Sequence, residues 1–227
     1  MRVAVRLVPG REPPPRGGVA VVVDVLRATT TLTVALANGA ARCVPVLDPE
    51  EARALKQRDP EVLLCGERQG RTIPGFDLGN SPLEYTPDRV AGRTLVFAST
   101  NGSRALRYAE GADERVAGAF VNAGAVVERL SGAAHVALVC AGALGHPALE
   151  DLGCAGWIAR RLAERGAELD GAAARLAAAI GPTTAAEARA LVESSRDARL
   201  LRGLGATYAR DVDFCATLNR LPRAFAL

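Results

Sequence analysis

The stretch Gly18-Val19-Ala20-Val21-Val22-Val23-Asp24-Val25-Leu26-Arg27-Ala28 decides the fold. Its apolar run meets no polar residue until Asp24, as a strand covered on both faces requires, and 28–38 then reads as a helix closed by Gly39. The same alternation extends outward along the chain. A strand over 43–47 precedes a helix with Asp48 as N-cap, Pro49 at the first position and Glu50 and Glu51 in the first turn, ending near Arg58. Further strands over 62–65, 94–98, 115–120 and 135–140 follow, and the last three lead into helices that end near Tyr108, Leu130 and Arg165. Thr100 and Asn122, taken singly, read as N-caps, and Met1 to Leu7 alternates apolar and charged residues like an edge strand. This order predicts an α/β protein with three α/β/α layers on a largely parallel or mixed sheet. Residues 171–202 are alanine-rich with a helical period broken at Gly181-Pro182-Thr183, which predicts a helical C-terminal extension, with 171–205 as a layer or small lobe of one domain spanning 1–227.

Composition narrows the function. With 49% hydrophobic and 23% charged residues the chain is an ordinary globular sequence, and a net charge of +3 with interspersed signs leaves no footprint for nucleic acid or an anionic membrane. A small molecule is the expected partner. Lys56 is the only lysine and lies in a charged helical segment, so neither a Walker A loop nor a Schiff-base lysine is available. Arginine provides nearly all the positive charge and suits recognition of phosphate, carboxylate or sulfonate oxygens. The five cysteines form no Cys-x-x-Cys pair and there are two histidines, which argues against a disulfide framework or a zinc site. The longest uncharged run, 130–149, is interrupted by Gly, His and Pro, and the N-terminus lacks a signal-peptide core. A cytoplasmic protein is the expectation.

Polar residues collect where predicted strands end and helices begin: Asp24 with Arg27, Thr29 and Thr30; Glu67 with Arg68; Ser99, Thr100 and Asn101; Glu150 with Asp151. In open α/β sheets, ligands bind outside the carboxyl ends of the strands, and exposed N–H groups at helix starts favour an oxyanion there. Asp24 followed three residues later by Arg27 fits either a charged site or a structural ion pair. Between Gly66 and Pro87, repeated Gly and Pro forbid a long helix and mark a structured loop. Glu67 and Asp77 in this loop are either turn residues or hard oxygen ligands of the kind that suits Mg²⁺.

Two short patterns are incomplete. Cys65-Gly66-Glu67-Arg68-Gln69-Gly70-Arg71-Thr72 satisfies the Cys-x₅-Arg-[Ser/Thr] spacing of cysteine-dependent phosphatases, but Pro74 and Gly75 obstruct the helix that should activate the thiol, and Glu67 would sit in the phosphate cradle. Asp24-Val25-Leu26-Arg27 lacks the second aspartate of the haloacid-dehalogenase signature.

The segments Asp24-Val25-Leu26-Arg27-Ala28-Thr29-Thr30-Thr31, Gly66-Glu67-Arg68, Gly75-Phe76-Asp77-Leu78-Gly79-Asn80-Ser81-Pro82, Ser99-Thr100-Asn101-Gly102, Cys140-Ala141-Gly142 and Glu150-Asp151-Leu152-Gly153-Cys154-Ala155-Gly156, in this order, resemble the 2-phosphosulfolactate phosphatase family. Asp211-Val212-Asp213-Phe214-Cys215 resembles its C-terminal segment. The resemblance implies a Mg²⁺-dependent phosphoric monoester hydrolase that converts (2R)-phospho-3-sulfolactate, or a related 2-hydroxy acid phosphate, to the hydroxy acid and phosphate, a step of coenzyme M biosynthesis. On this reading Asp24, Glu67 and Asp77 hold the metal, and Asp24, Asp151 and Arg27 are catalytic. Arg27, Arg68, Thr29, Thr30, Asn80, Ser99, Thr100 and Asn101 bind substrate. A homo-oligomer is compatible with it. The alternatives are a phosphatase using Cys65 and a non-catalytic binder of a phosphorylated or sulfonated metabolite.

Overall fold

The computed structural model describes residues 1–227. In chain order its elements are β1 (Arg2–Arg6), β2 (Val19–Val23), α1 (Ala28–Ala37), β3 (Arg42–Val46), α2 (Pro49–Arg58), β4 (Leu63–Arg68), β5 (Arg71–Thr72), α3 (Pro87–Val90), β6 (Thr94–Ala98) and α4 (Gly102–Tyr108). There follow β7 (Glu114–Gly118), α5 (Ala123–Arg129), β8 (His135–Cys140), α6 (Leu149–Glu164), β9 (Glu168–Asp170), α7 (Gly171–Ile180), α8 (Ala185–Ser194), α9 (Arg196–Leu204) and α10 (Ala206–Cys215). The α/β class and the helical C-terminal part agree with the sequence reading.

The strands divide between two sheets, in the orders β7-β2-β8-β1-β9 and β3-β6-β4-β5. All pairings are parallel except β4 with β5. β2 is paired on both sides, by β7 and β8, so β3 cannot lie beside it, and β3, β6 and β4 pair with one another instead. Side-chain alternation then builds the core in layers. Val21 and Val23 of β2 face a large cluster shared with α5, α6 and the C-terminal helices, whereas Ala20 and Val22 face a second cluster with Leu32 of α1, Leu106 of α4 and Leu95 and Phe97 of β6. Val96 and Ala98 of β6 point the other way, to a small cluster with Ala52 of α2. The helices α1 and α4 are therefore sandwiched between the sheets.

Three local expectations change. β1 is not an edge strand, because β8 and β9 both pair with it. The β4 strand runs on to Arg68, so the glycine-rich segment begins as a hairpin with β5. Asn122 precedes α5 without capping it; its Oδ1 accepts from Ala119 N–H at 2.9 Å and its Nδ2 donates to the Ala117 carbonyl at 3.0 Å, fastening the turn after β7. Asp48 does cap α2, accepting from Glu50 N–H at 2.9 Å behind Pro49. No helix is long and apolar enough to cross a membrane.

Candidate active site

The carboxyl ends of β2, β4, β6 and β8 open on one cleft of about 590 Å³, roofed by α9. Asp24, Arg27, Glu67, Arg68, Asn80, Ser99, Thr100 and Asn101 all line it. Close backbone approach makes this convergence work. At Gly66, with φ of 141°, a Cβ would stand 1.9 Å from the Ala98 carbonyl oxygen, so β4 and β6 meet tightly where their functional residues begin. Glu67 then bridges the loops, its Oε1 accepting from Thr100 N–H and its Oε2 from Gly70 N–H, both at 2.8 Å. Ser99 and Ser103 exchange backbone and hydroxyl bonds at 2.9 Å. Thr100 has no capping role; Asn101 stands at the start of α4 and its Oδ1 accepts from Leu144 N–H.

Asp24 is the central group. Its Oδ1 accepts from Ala28 N–H at 3.0 Å, while Oδ2 takes no bond within the chain and faces Gly102, where a Cβ would lie 2.8 Å from it and 3.0 Å from Ser99 Oγ. The residue is 6% exposed and has no cationic partner. Burial raises its carboxyl to about 7 against the opposing Ala28 N–H, and the charges of Glu67, Asp197 and Glu150 push the same way. Burial likewise raises Glu150 to about 7, and burial raises Asp197 against the neighbouring Arg196 guanidinium, with Glu67 pushing the same way as burial. Asp24 and Glu67 thus share the cleft without an ion-pair partner, while Arg196 stands beside Asp197.

Arg27 is a buried ion pair as well as a cleft residue. Its Nη1 donates to Asp211 Oδ2 of α10 and its Nη2 to the Gly70 carbonyl, both at 2.6 Å, and the guanidinium lies 5.3 Å from the centre of the Tyr208 ring. Asp211 also accepts from Ser81 Oγ at 2.5 Å. Arg68 donates to the carbonyls of Glu67 and Leu47. Asn80 is 5% exposed with its Oδ1 buried and unpartnered, an orphan that a bound ligand could satisfy through reorientation of the amide.

Other expected site residues lie elsewhere. Asp77 does not reach the cleft: its Oδ2 is held by Lys56 Nζ at 2.6 Å and Leu64 N–H at 2.8 Å, near the amino end of β4, opposite to Glu67. Thr29 and Thr30 fasten the start of α1 instead of lining the cleft. Thr29 Oγ1 accepts from Asp24 N–H and reaches the Gly118 carbonyl, and Thr30 Oγ1 donates to the Val25 carbonyl. Asp151 lies behind the floor, its two oxygens accepting from the N–H groups of Val25 and Gly142 at 2.8 and 3.0 Å; burial, with Asp24 and Glu150 nearby, pushes its carboxyl well up. It positions the loops after β2 and β8. Cys65 is a core residue of β4 beside Tyr85, and burial pushes its thiol up to about 12; the chain continues into a hairpin where a nucleophilic thiol would need a helix start. The residues that sequence reading missed are Asp211, Arg71 and the α9 wall of Arg196, Asp197, Leu200, Leu201 and Leu204. The α9 segment reads as packing, whereas Asp211 lay in the C-terminal motif segment and Arg71 in the incomplete Cys-x₅-Arg pattern.

A metal fits part of this donor set. No three acidic, His or Cys side chains stand close enough to cage a metal ion, so the trio Asp24, Glu67 and Asp77 is not assembled. Mg²⁺, however, is commonly held by one or two carboxylates with waters and substrate oxygens completing the shell. The unengaged Oδ2 of Asp24, which has no ion-pair partner, with Glu67 on the same cleft, meets that requirement.

Residues 7–224 match the family described as 2-phosphosulpholactate phosphatase. The probable 2-phosphosulfolactate phosphatase of Thermotoga petrophila is 42% identical over 198 residues, covering 87% of this chain and 84% of that protein. That of Deinococcus radiodurans is 42% identical over 222 residues, covering 96% and 90%. The α/β fold, the strand-end cleft and these matches define a phosphoric monoester hydrolase. The chain belongs to the 2-phosphosulpholactate phosphatase family.

Proposed function

We propose that this chain is a Mg²⁺-dependent phosphatase of (2R)-phospho-3-sulfolactate or a related 2-hydroxy acid phosphate, acting in coenzyme M biosynthesis where that cofactor is made. The observation that carries the reading is Asp24: a nearly buried carboxylate with one oxygen free, no cationic partner and acidic neighbours, at the head of the cleft. Asp24 and Glu67 would hold the metal. When bound, the cation supplies neutralisation of the phosphate charge and of the charge that develops as the ester bond breaks.

The remaining chemistry belongs to the chain. The N–H groups of Arg27 that Asp211 and Gly70 leave free face the phosphate, and the Asn80 amide joins them. Ser99, Thr100 and Asn101 provide polar contacts on the β6 side, and Arg68 stands at the cleft edge for the carboxylate. Asp151 keeps Val25 and Gly142 in place, so Asp24 meets the substrate at a fixed height. The test is phosphate release from (2R)-phospho-3-sulfolactate with and without Mg²⁺ in wild type, Asp24→Asn and Cys65→Ser. Release that survives in Cys65→Ser, and that Asp24→Asn or a chelator abolishes, is the expected result. Wild-type turnover in Asp24→Asn refutes the assignment, and a trapped phosphoenzyme on Asp24 replaces the metal-holding role with a nucleophilic one.

A further inference from the structure

Building on the phosphatase reading, we propose that Arg196 is the specificity-determining residue that binds a second ionised group of the substrate, a sulfonate or carboxylate on the carbon next to the phosphorylated one. The substrate class is then the 2-hydroxy acid phosphates with an anionic C3 substituent, as against those ending in a methyl group.

Three observations converge on this role. Among the cleft arginines, Arg27 is neutralised by Asp211 and Arg68 is tied to two carbonyls, whereas Arg71 and Arg196 make no hydrogen bond or ion pair within the chain. Arg196, Leu200 and Leu204 recur every four residues on one face of α9 and line the cleft beside Asp197 and Leu201, so Arg196 is the one cationic group of this wall. Arg71 lies by the other end of that wall: a Cβ on its neighbour Gly70 would meet Leu204 Cδ1 at 2.9 Å. Arg196 alone among these arginines also lines the adjoining depression of about 500 Å³, which gives a substituent room beyond the phosphate site. A guanidinium also pairs with sulfonate and carboxylate oxygens through a planar fork, which apolar neighbours leave less well screened by water.

The experiment compares phosphate release from (2R)-phospho-3-sulfolactate and from 2-phospholactate, which has a methyl in place of the sulfonate-bearing carbon, in Mg²⁺ with wild type, Arg196→Gln, Arg196→Lys and Arg199→Gln. Arg199 carries the same charge on the same helix and lines the adjoining depression but not the cleft, its Nη1 donating to the Ser194 carbonyl, so it separates a role of Arg196 from one of any arginine on this wall. Arg196→Gln should raise KM for the sulfonated ester by about tenfold to a hundredfold, with kcat and the 2-phospholactate kinetics little changed. Arg196→Lys should recover part of the loss, and Arg199→Gln should keep the wild-type preference. Equal losses on both esters, an unchanged preference in Arg196→Gln, or the same shift in Arg199→Gln overturns the assignment. Calorimetric binding of 3-sulfolactate and lactate runs alongside: absence of turnover in wild type refutes the phosphatase reading, while a sulfolactate advantage that Arg196→Gln fails to diminish refutes the role of Arg196.

Discussion

Replacing Asp24 by asparagine should stabilise the metal-free protein while removing its activity. Burial holds the Asp24 carboxyl at about 7 against its ordinary 3.8, and at about 1.4 kcal/mol per tenfold change in proton affinity this amounts to about 4 kcal/mol of preference for the neutral form. The sign follows from proton counting. Between about pH 4 and about pH 7 the folded chain keeps a proton that the unfolded chain has lost, so the Asp24 contribution to stability falls as pH rises, reaching its full penalty above about pH 7. Asparagine keeps the acceptor for Ala28 N–H and carries no charge. Losing the charge also relieves Asp151, whose ionisation Asp24 opposes. Urea unfolding in chelator should therefore show Asp24→Asn ahead of wild type by up to about 4 kcal/mol near pH 8, with the advantage vanishing near pH 4. Adding Mg²⁺ at the higher pH should raise wild type by RT ln(1 + [Mg²⁺]/Kd) and narrow the gap. A difference independent of pH, or an Asp24→Asn protein less stable than wild type near pH 8 in chelator, would refute the reasoning.

Asp211→Asn leaves the Arg27 guanidinium, 3% exposed, without its counter-charge, and should cost about 3–5 kcal/mol in urea unfolding, of which removing both charges together in Arg27→Gln/Asp211→Asn returns a part. Gly102→Ala puts a methyl 2.4 Å from the Ala28 Cβ and 2.8 Å from Asp24 Oδ2; it should lower stability by about 1–3 kcal/mol and depress turnover far more than an alanine on the exposed side of α4. Asp77→Asn removes a half-exposed pair with Lys56, so phosphate release should stay at the wild-type rate and stability should change by at most about 1 kcal/mol.

Local chemistry explains which parts of the fold were legible in the amino-acid sequence. The uninterrupted β2 run, Pro49 behind Asp48 and the Gly181-Pro182 break state their structure within a few residues, and each is found as read. Sheet membership is not local. The division into two sheets depends on which strand takes the second edge of β2, and no residue of β3 or β6 records that choice. At the site, residues directly after strands, Asp24, Glu67 and Ser99, reach the cleft because strand ends are where it opens. Asp77 and the threonines fail for a shared reason: a polar side chain near a functional loop can be consumed by backbone groups of its own or a neighbouring element, and residue type does not tell fastening from binding. Arg196 was hidden because a helix that reads as packing carries it to the cleft from far along the chain, and Asp211, though in a motif segment, acts through Arg27 across 184 residues.

The bond between Arg27 and Asp211 joins positions 184 residues apart. A growing polypeptide emerging from the ribosome exposes Arg27 well before the counter-charge arrives, 184 residues later. Even the free side of β7 is closed late, by Phe225 and Leu227 bonding to Ala117 and Arg115. Competence therefore comes after every strand has been made, and a product terminated before Asp211 would carry most of the scaffold with an unfinished pocket.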